Sequence, residues 1–74
     1  MTTGRTPRNV RQQQAIRALV RAGGVERKAK GGHRVLKMPN GKPVAVPTGV
    51  ITVGTLNAIV ETAGLTMEEF VDLL

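Results

Sequence analysis

His33 is the chain's one histidine; it follows Lys30-Gly31-Gly32 and precedes the alternating run Arg34-Val35-Leu36-Lys37-Met38. Imidazole is the side chain whose ordinary pKa lets it take or give a proton near neutrality. Set in a basic, glycine-bordered surface, it suits proton transfer on a phosphate backbone lying beside it. A surface or half-buried histidine with no chemical role is the plainer reading, and spacing alone does not separate the two. The chain has no cysteine, and one histidine with scattered carboxylates does not make a zinc site, so neither disulfides nor a structural metal is expected.

Charge supports the phosphate reading. All eleven lysines and arginines lie between Arg5 and Lys42, where Glu26 is the only acid, so that segment carries +10. Beyond Lys42 there is no basic residue, and Glu61, Glu68, Glu69 and Asp72 give −4. Such asymmetry focuses a positive field on one part of the surface, which favours a nucleic-acid partner and makes its binding sensitive to salt. A basic, merely solubilising face is the alternative. The apolar runs, of which Val44-Ala45-Val46 is typical, are too short for a membrane span or a signal-peptide core, which points to a soluble cytoplasmic protein. At 74 residues the chain is read as one domain with a modest core and little room for a deep substrate cavity.

The elements that must hold His33 follow from periodicity and turn chemistry. Residues 1–5 read as a mobile tail. Thr6-Pro7 suits an N-cap followed by proline in the first helical turn, with Asn9 a competing cap. Ile16, Leu19 and Val20 then recur at helical spacing, with Gln14, Arg17 and Arg21 on the opposite face and Gly23-Gly24 as the stop. Val25 to Lys28 reads as a short strand, and His33 to Met38 as the next. Asn40-Gly41 predicts a two-residue type I′ hairpin loop, with Lys42 to Pro47 returning. In that register Val35 opposes Val46, Leu36 opposes Ala45 and Lys37 opposes Val44; a slip of one residue would exchange the faces, and which face is buried stays open. Pro43 and Pro47 cannot donate to a ladder, so this last strand belongs at an edge.

Thr48 to Thr52 reads as a link, with Thr52 capping a helix whose Leu56, Ile59, Val60 and Ala63 share one face. Thr66 and Glu69 fit a capping box, and Leu65 with Phe70 the accompanying hydrophobic staple. The expected fold is α+β: α-β-β-β-α, with two helices on one face of a three-stranded antiparallel sheet and a short C-terminal helix.

Three features in this order resemble the HicA family of bacterial toxins, small mRNA interferases with a fold like a double-stranded-RNA-binding domain. They are Lys30-Gly31-Gly32-His33 opening the second strand, the hairpin running into Val44-Ala45-Val46-Pro47, and Gly54-Thr55-Leu56-Asn57-Ala58-Ile59 continuing through Ala63-Gly64-Leu65-Thr66 to Glu69-Phe70. Together they span residues 10 to 74. The chain departs from the family at Gly32, where a serine is usual before the histidine, and at Gly49, where a second histidine often follows the Val-Pro. The first strand also lacks the usual aromatic. These departures bear on activity more than on fold.

The resemblance implies metal-independent endonucleolytic cleavage of RNA, with no small-molecule cofactor, and a HicB-type antitoxin as partner. His33 would act as general base on a ribose 2′-hydroxyl or as acid toward the leaving 5′ oxygen. Lys28, Lys30 and Arg34 would hold the scissile phosphate, while Gly31 and Gly32 let the backbone approach it closely. With one histidine and no second obvious proton carrier, turnover should be slow. A non-catalytic RNA-binding module of the same fold is the rival reading, and a basic face for an acidic protein is a third. With Phe70 the only aromatic and assigned to the core, base stacking is not the expected mode of binding.

Overall fold

Residues 7–27 and 33–74 are described by the structure, a computed structural model. The N-terminal tail expected over residues 1–5 and the candidate site residues Lys28, Lys30, Gly31 and Gly32 lie outside the described residues. The elements run β1 (Val10–Arg11), α1 (Gln12–Arg21), β2 (Val25–Arg27), β3 (Arg34–Lys37), β4 (Pro43–Val46), β5 (Val50–Ile51), α2 (Val53–Thr62) and α3 (Met67–Leu73). The three-stranded sheet has the order β2-β3-β4, antiparallel throughout, so β4 is an edge, as Pro43 within it and Pro47 just after it require. This is the expected α+β arrangement, with one addition: β1 and β5 form a small antiparallel pair, Val10 opposite Ile51 and Arg11 opposite Val50.

That pair moves the start of the first helix. Asn9 does not cap it but adopts φ 60, and the helix begins only at Gln12, well past Pro7; Thr6 lies outside the described residues. The N-cap is Arg11, whose side chain has no acceptor to offer. Instead the side chain of Gln14 reaches back to accept from the Arg11 N–H at 2.9 Å, and the Gln12 N–H donates to the Gly49 carbonyl at 3.0 Å. Burying Val10 and Ile51 together outweighs the local cap signals, because an extended Val10 is the geometry that reaches the core. On α1 the buried residues are Ala15, Ile16, Ala18 and Leu19. Val20, expected on the apolar face, is 47% exposed. The helix ends as expected at Gly23-Gly24, where the Gly23 N–H donates to Val20 and the Gly24 N–H to Leu19, the paired bonds of a Schellman stop.

The hairpin register differs by one residue from the expected one. Val35 faces Ala45, Leu36 faces Val44 and Lys37 faces Pro43. The loop has three residues, Pro39-Asn40-Gly41: the Met38 N–H donates to Lys42, the Gly41 N–H donates to Met38, and Gly41 takes φ +84. Proline explains the change. A two-residue Asn-Gly loop would make Pro39 and Lys42 the closing pair, and Pro39 has no N–H to close it with. As second residue of an ordinary turn its fixed φ is an advantage. Asn40 therefore needs no positive φ, and only Gly41 takes one.

The register also decides which face is inside. Leu36, Met38, Val44 and Val46 are buried, while Val25 is 59% exposed and Ala45 and Pro43 are exposed. α1 packs against β2, β3 and β4, α2 against β4, and α3 against both helices. Thr52 caps α2 by accepting from the Thr55 N–H at 3.3 Å. Thr66 and Glu69 form the expected capping box at 3.1 and 2.8 Å, which delivers Phe70, fully buried, into the core beside half-buried Leu65.

Candidate nucleic-acid interface

His33 stands immediately before β3 and is exposed. Its ring makes no hydrogen bond or ion pair with another described residue. Side chains alternate along a strand, so burying Leu36 and Met38 sends Val35 and Lys37, and His33 in line with them, to the face that carries no helix. On the neighbouring strand Arg27 lies opposite Val35 and Val25 opposite Lys37. The helix-free face thus carries His33, Arg27 and Lys37 around Val25, Val35, Pro43 and Ala45. No carboxylate stands among the described residues of that face.

Arg34 has the other parity. It opposes Val46, and its guanidinium pairs with Glu26, Nε and Nη2 both meeting Oε2. Both side chains are partly exposed, at 47% and 33%, so the pair sits at the sheet rim rather than in the core. Among the described residues this is the one ion pair, and it offsets the charge of a cation singled out from sequence. Arg27 and Lys37, which sequence reasoning did not single out, are exposed and unpaired among the described residues. The signal for them was available only after the buried face was known.

The same end of the sheet receives the start of α1. Gln12, half-buried, donates from Nε2 to the Val46 carbonyl at 3.1 Å, which fixes the helix start to the end of β4. Arg11 and Arg8 lie just before it and are exposed. Two open clefts of about 550 and 180 Å³ flank α2, and His33 lines neither.

The model of a protein family described as the HicA toxin of bacterial toxin-antitoxin matches residues 13–65, from the first turn of α1 through α2. The chain belongs to the HicA toxin family. It is therefore a member of a family of toxins that work within toxin-antitoxin pairs. Among curated proteins none matches the chain. The match ends before α3, so the capping box that sets Phe70 into the core lies outside the part shared with the HicA model. No helix among the described residues is long and apolar enough to cross a membrane.

Proposed function

We propose that this HicA toxin is an endoribonuclease of the cytoplasm that cuts mRNA without a metal, with His33 as its proton-transfer group. The observation that carries the reading is an exposed imidazole standing on the same sheet face as two cations, all three without a carboxylate partner among the described residues. As base, the ring takes the proton of a ribose 2′-hydroxyl while its oxygen bonds to the adjacent phosphorus and the bond to the 5′ oxygen breaks. As acid, it protonates that leaving oxygen. Either role contributes about 10² to 10⁴ in rate, and the second proton passes through water or a neighbouring group, which keeps the enzyme slow.

Lys28 and Lys30 supply positive charge around the phosphate, Arg34 adds a more distant field from the sheet rim, and Gly31 and Gly32 let the strand approach the backbone. Arg34 gives less than its full charge while Glu26 holds it. A HicB-type antitoxin is the proposed partner, binding so as to cover His33.

The test compares the wild-type chain with His33→Ala on RNA in the presence of a chelator. Cleavage is expected to fall by about 10² or more, with growth arrest lost. RNA affinity and melting temperature should stay near wild type, because an exposed side chain without partners contributes within about 0.5 kcal/mol. Undiminished cutting by His33→Ala would refute the assignment. Binding without cleavage by the wild type would favour a non-catalytic RNA-binding module.

A further inference from the structure

We infer that the helix-free face of the β2-β3-β4 sheet is the track on which a single-stranded RNA backbone lies, held by Arg27 and Lys37. The inference rests on the ribonuclease reading for its choice of ligand and goes beyond it in naming the surface and the residues.

Register places the groups. Arg27 faces Val35 across the β2-β3 ladder, so it is the diagonal neighbour of Lys37 on one side and of the position of His33 on the other. Diagonal neighbours stand about 7–8 Å apart, and His33 and Lys37, four residues apart along the strand, about 13 Å. The three groups therefore follow one another around Val35 in the order Lys37, Arg27, His33, on a scale that lets neighbouring phosphates of one strand meet Lys37 and Arg27 while the next link, beyond Arg27, reaches His33. The floor between the cations is aliphatic, Val25 and Val35, with Pro43 and Ala45 continuing it on β4 toward the cleft beside α2. Riboses can rest there without desolvating a charge.

Three observations favour this face over the helix side. Arg34, at the rim of the helix side, is paired with Glu26. Arg21, on α1, donates at 2.7 Å to the Leu73 carbonyl, so its charge serves the end of α3. The four acids beyond Lys42 lie in α2 and α3, and none stands on β2, β3 or β4. An unpaired strand is favoured over a duplex by chemistry: in-line attack by a 2′-oxygen needs a backbone free to rotate, which pairing restrains. With Phe70 buried, no described aromatic stands ready to stack bases, so affinity comes from phosphates.

The experiment measures binding of an uncleavable 2′-O-methyl RNA of about 12 nucleotides over a range of salt. Each single-strand phosphate contact contributes about 0.7 to the slope of log affinity against log salt, so Arg27→Gln with Lys37→Gln should lower the slope by about 1.4. The advantage of wild type over the double variant should then shrink about sevenfold between roughly 50 and 200 mM salt. Arg17→Gln, on the exposed face of α1, should leave the slope unchanged. An unchanged slope in the double variant, or a drop with Arg17→Gln, would overturn the inference, as would a double variant that keeps RNA and loses only its protein partner. The ligand cannot be cut, so the result does not depend on His33. Failure of the ribonuclease reading shows instead as wild-type cleavage that is absent or indifferent to His33→Ala.

Discussion

Asn40 should stabilise the chain through its amide, which ties the hairpin turn to the end of α2. Its Nδ2 donates to the Thr62 carbonyl at 3.1 Å, one of the carbonyls that α2 leaves without a helical partner, and its Oδ1 accepts from the Lys42 N–H at 2.9 Å. Both bonds are exposed, so water competes for each, and about 0.5–1 kcal/mol apiece is the reasonable share. Asn40→Ala removes both and should cost about 1–2 kcal/mol, a fall in melting temperature of roughly 5–10 °C for a domain of this size.

Asn40→Asp is the sharper probe. It keeps the acceptor for Lys42 but loses the donor, and it sets a carboxylate against the negative end of the α2 dipole, which adds about 0.3–1 kcal/mol at low salt. Its deficit should therefore shrink as salt rises, whereas that of Asn40→Ala should not. Gly64 completes the contact: at φ +79, a Cβ there would stand 3.0 Å from the Asn40 Nδ2. Part of the cost of Gly64→Ala should vanish when Asn40 is already alanine, which a double-mutant cycle of urea unfolding would read as coupling. Asn40→Asp melting with the wild type at low salt would refute the reasoning, and the bridge would then be a contact without energetic consequence.

Two further outcomes follow from burial and pairing. Phe70→Ala empties a fully buried site and should cost about 3–5 kcal/mol, much of the total stability of a chain this short, so circular dichroism should show a large unfolded fraction at 37 °C. Glu26→Gln releases Arg34 at a loss of at most about 1 kcal/mol, since the pair is partly exposed, and should raise RNA affinity at low salt; a much larger fall in melting temperature would mean that the pair is structural.

The sequence was most legible where one residue type has one local consequence. Thr52, Thr66 and Glu69 cap the helices expected of them, and Leu56, Ile59, Val60, Ala63 and Phe70 enter the core at their expected spacing. It was least legible where two local signals compete or where the decisive partner is remote. Asn40-Gly41 is a strong hairpin signal, but the proline before it removes the donor that a two-residue loop needs. Thr6-Pro7 and Asn9 look like caps, yet Val10 is drawn into an extended pair with the remote Ile51, and two residues carry no periodicity to announce a strand. Val20 has the right spacing for the core, but α1 turns Ala15, Ile16, Ala18 and Leu19 inward and leaves Val20 exposed.

The candidate site shows the same division in a more consequential form. That cations gather in the half of the chain containing His33 is a property of composition, and no fold is needed to see it. Which of them share a surface with the imidazole depends on one parity. Because alternate residues of a strand face opposite ways, the burial of Leu36 and Met38 sends Lys37 outward in line with His33, and the β2 ladder adds Arg27 to them; the same constraint puts Arg34, the nearest cation in sequence, across the sheet with Glu26. Proximity along the chain is thus the wrong measure for assigning phosphate contacts in a strand. The residue next to the catalytic candidate is the one that the pleat turns away, and residues two and four positions on, with their cross-strand partners, are those that a bound backbone would meet.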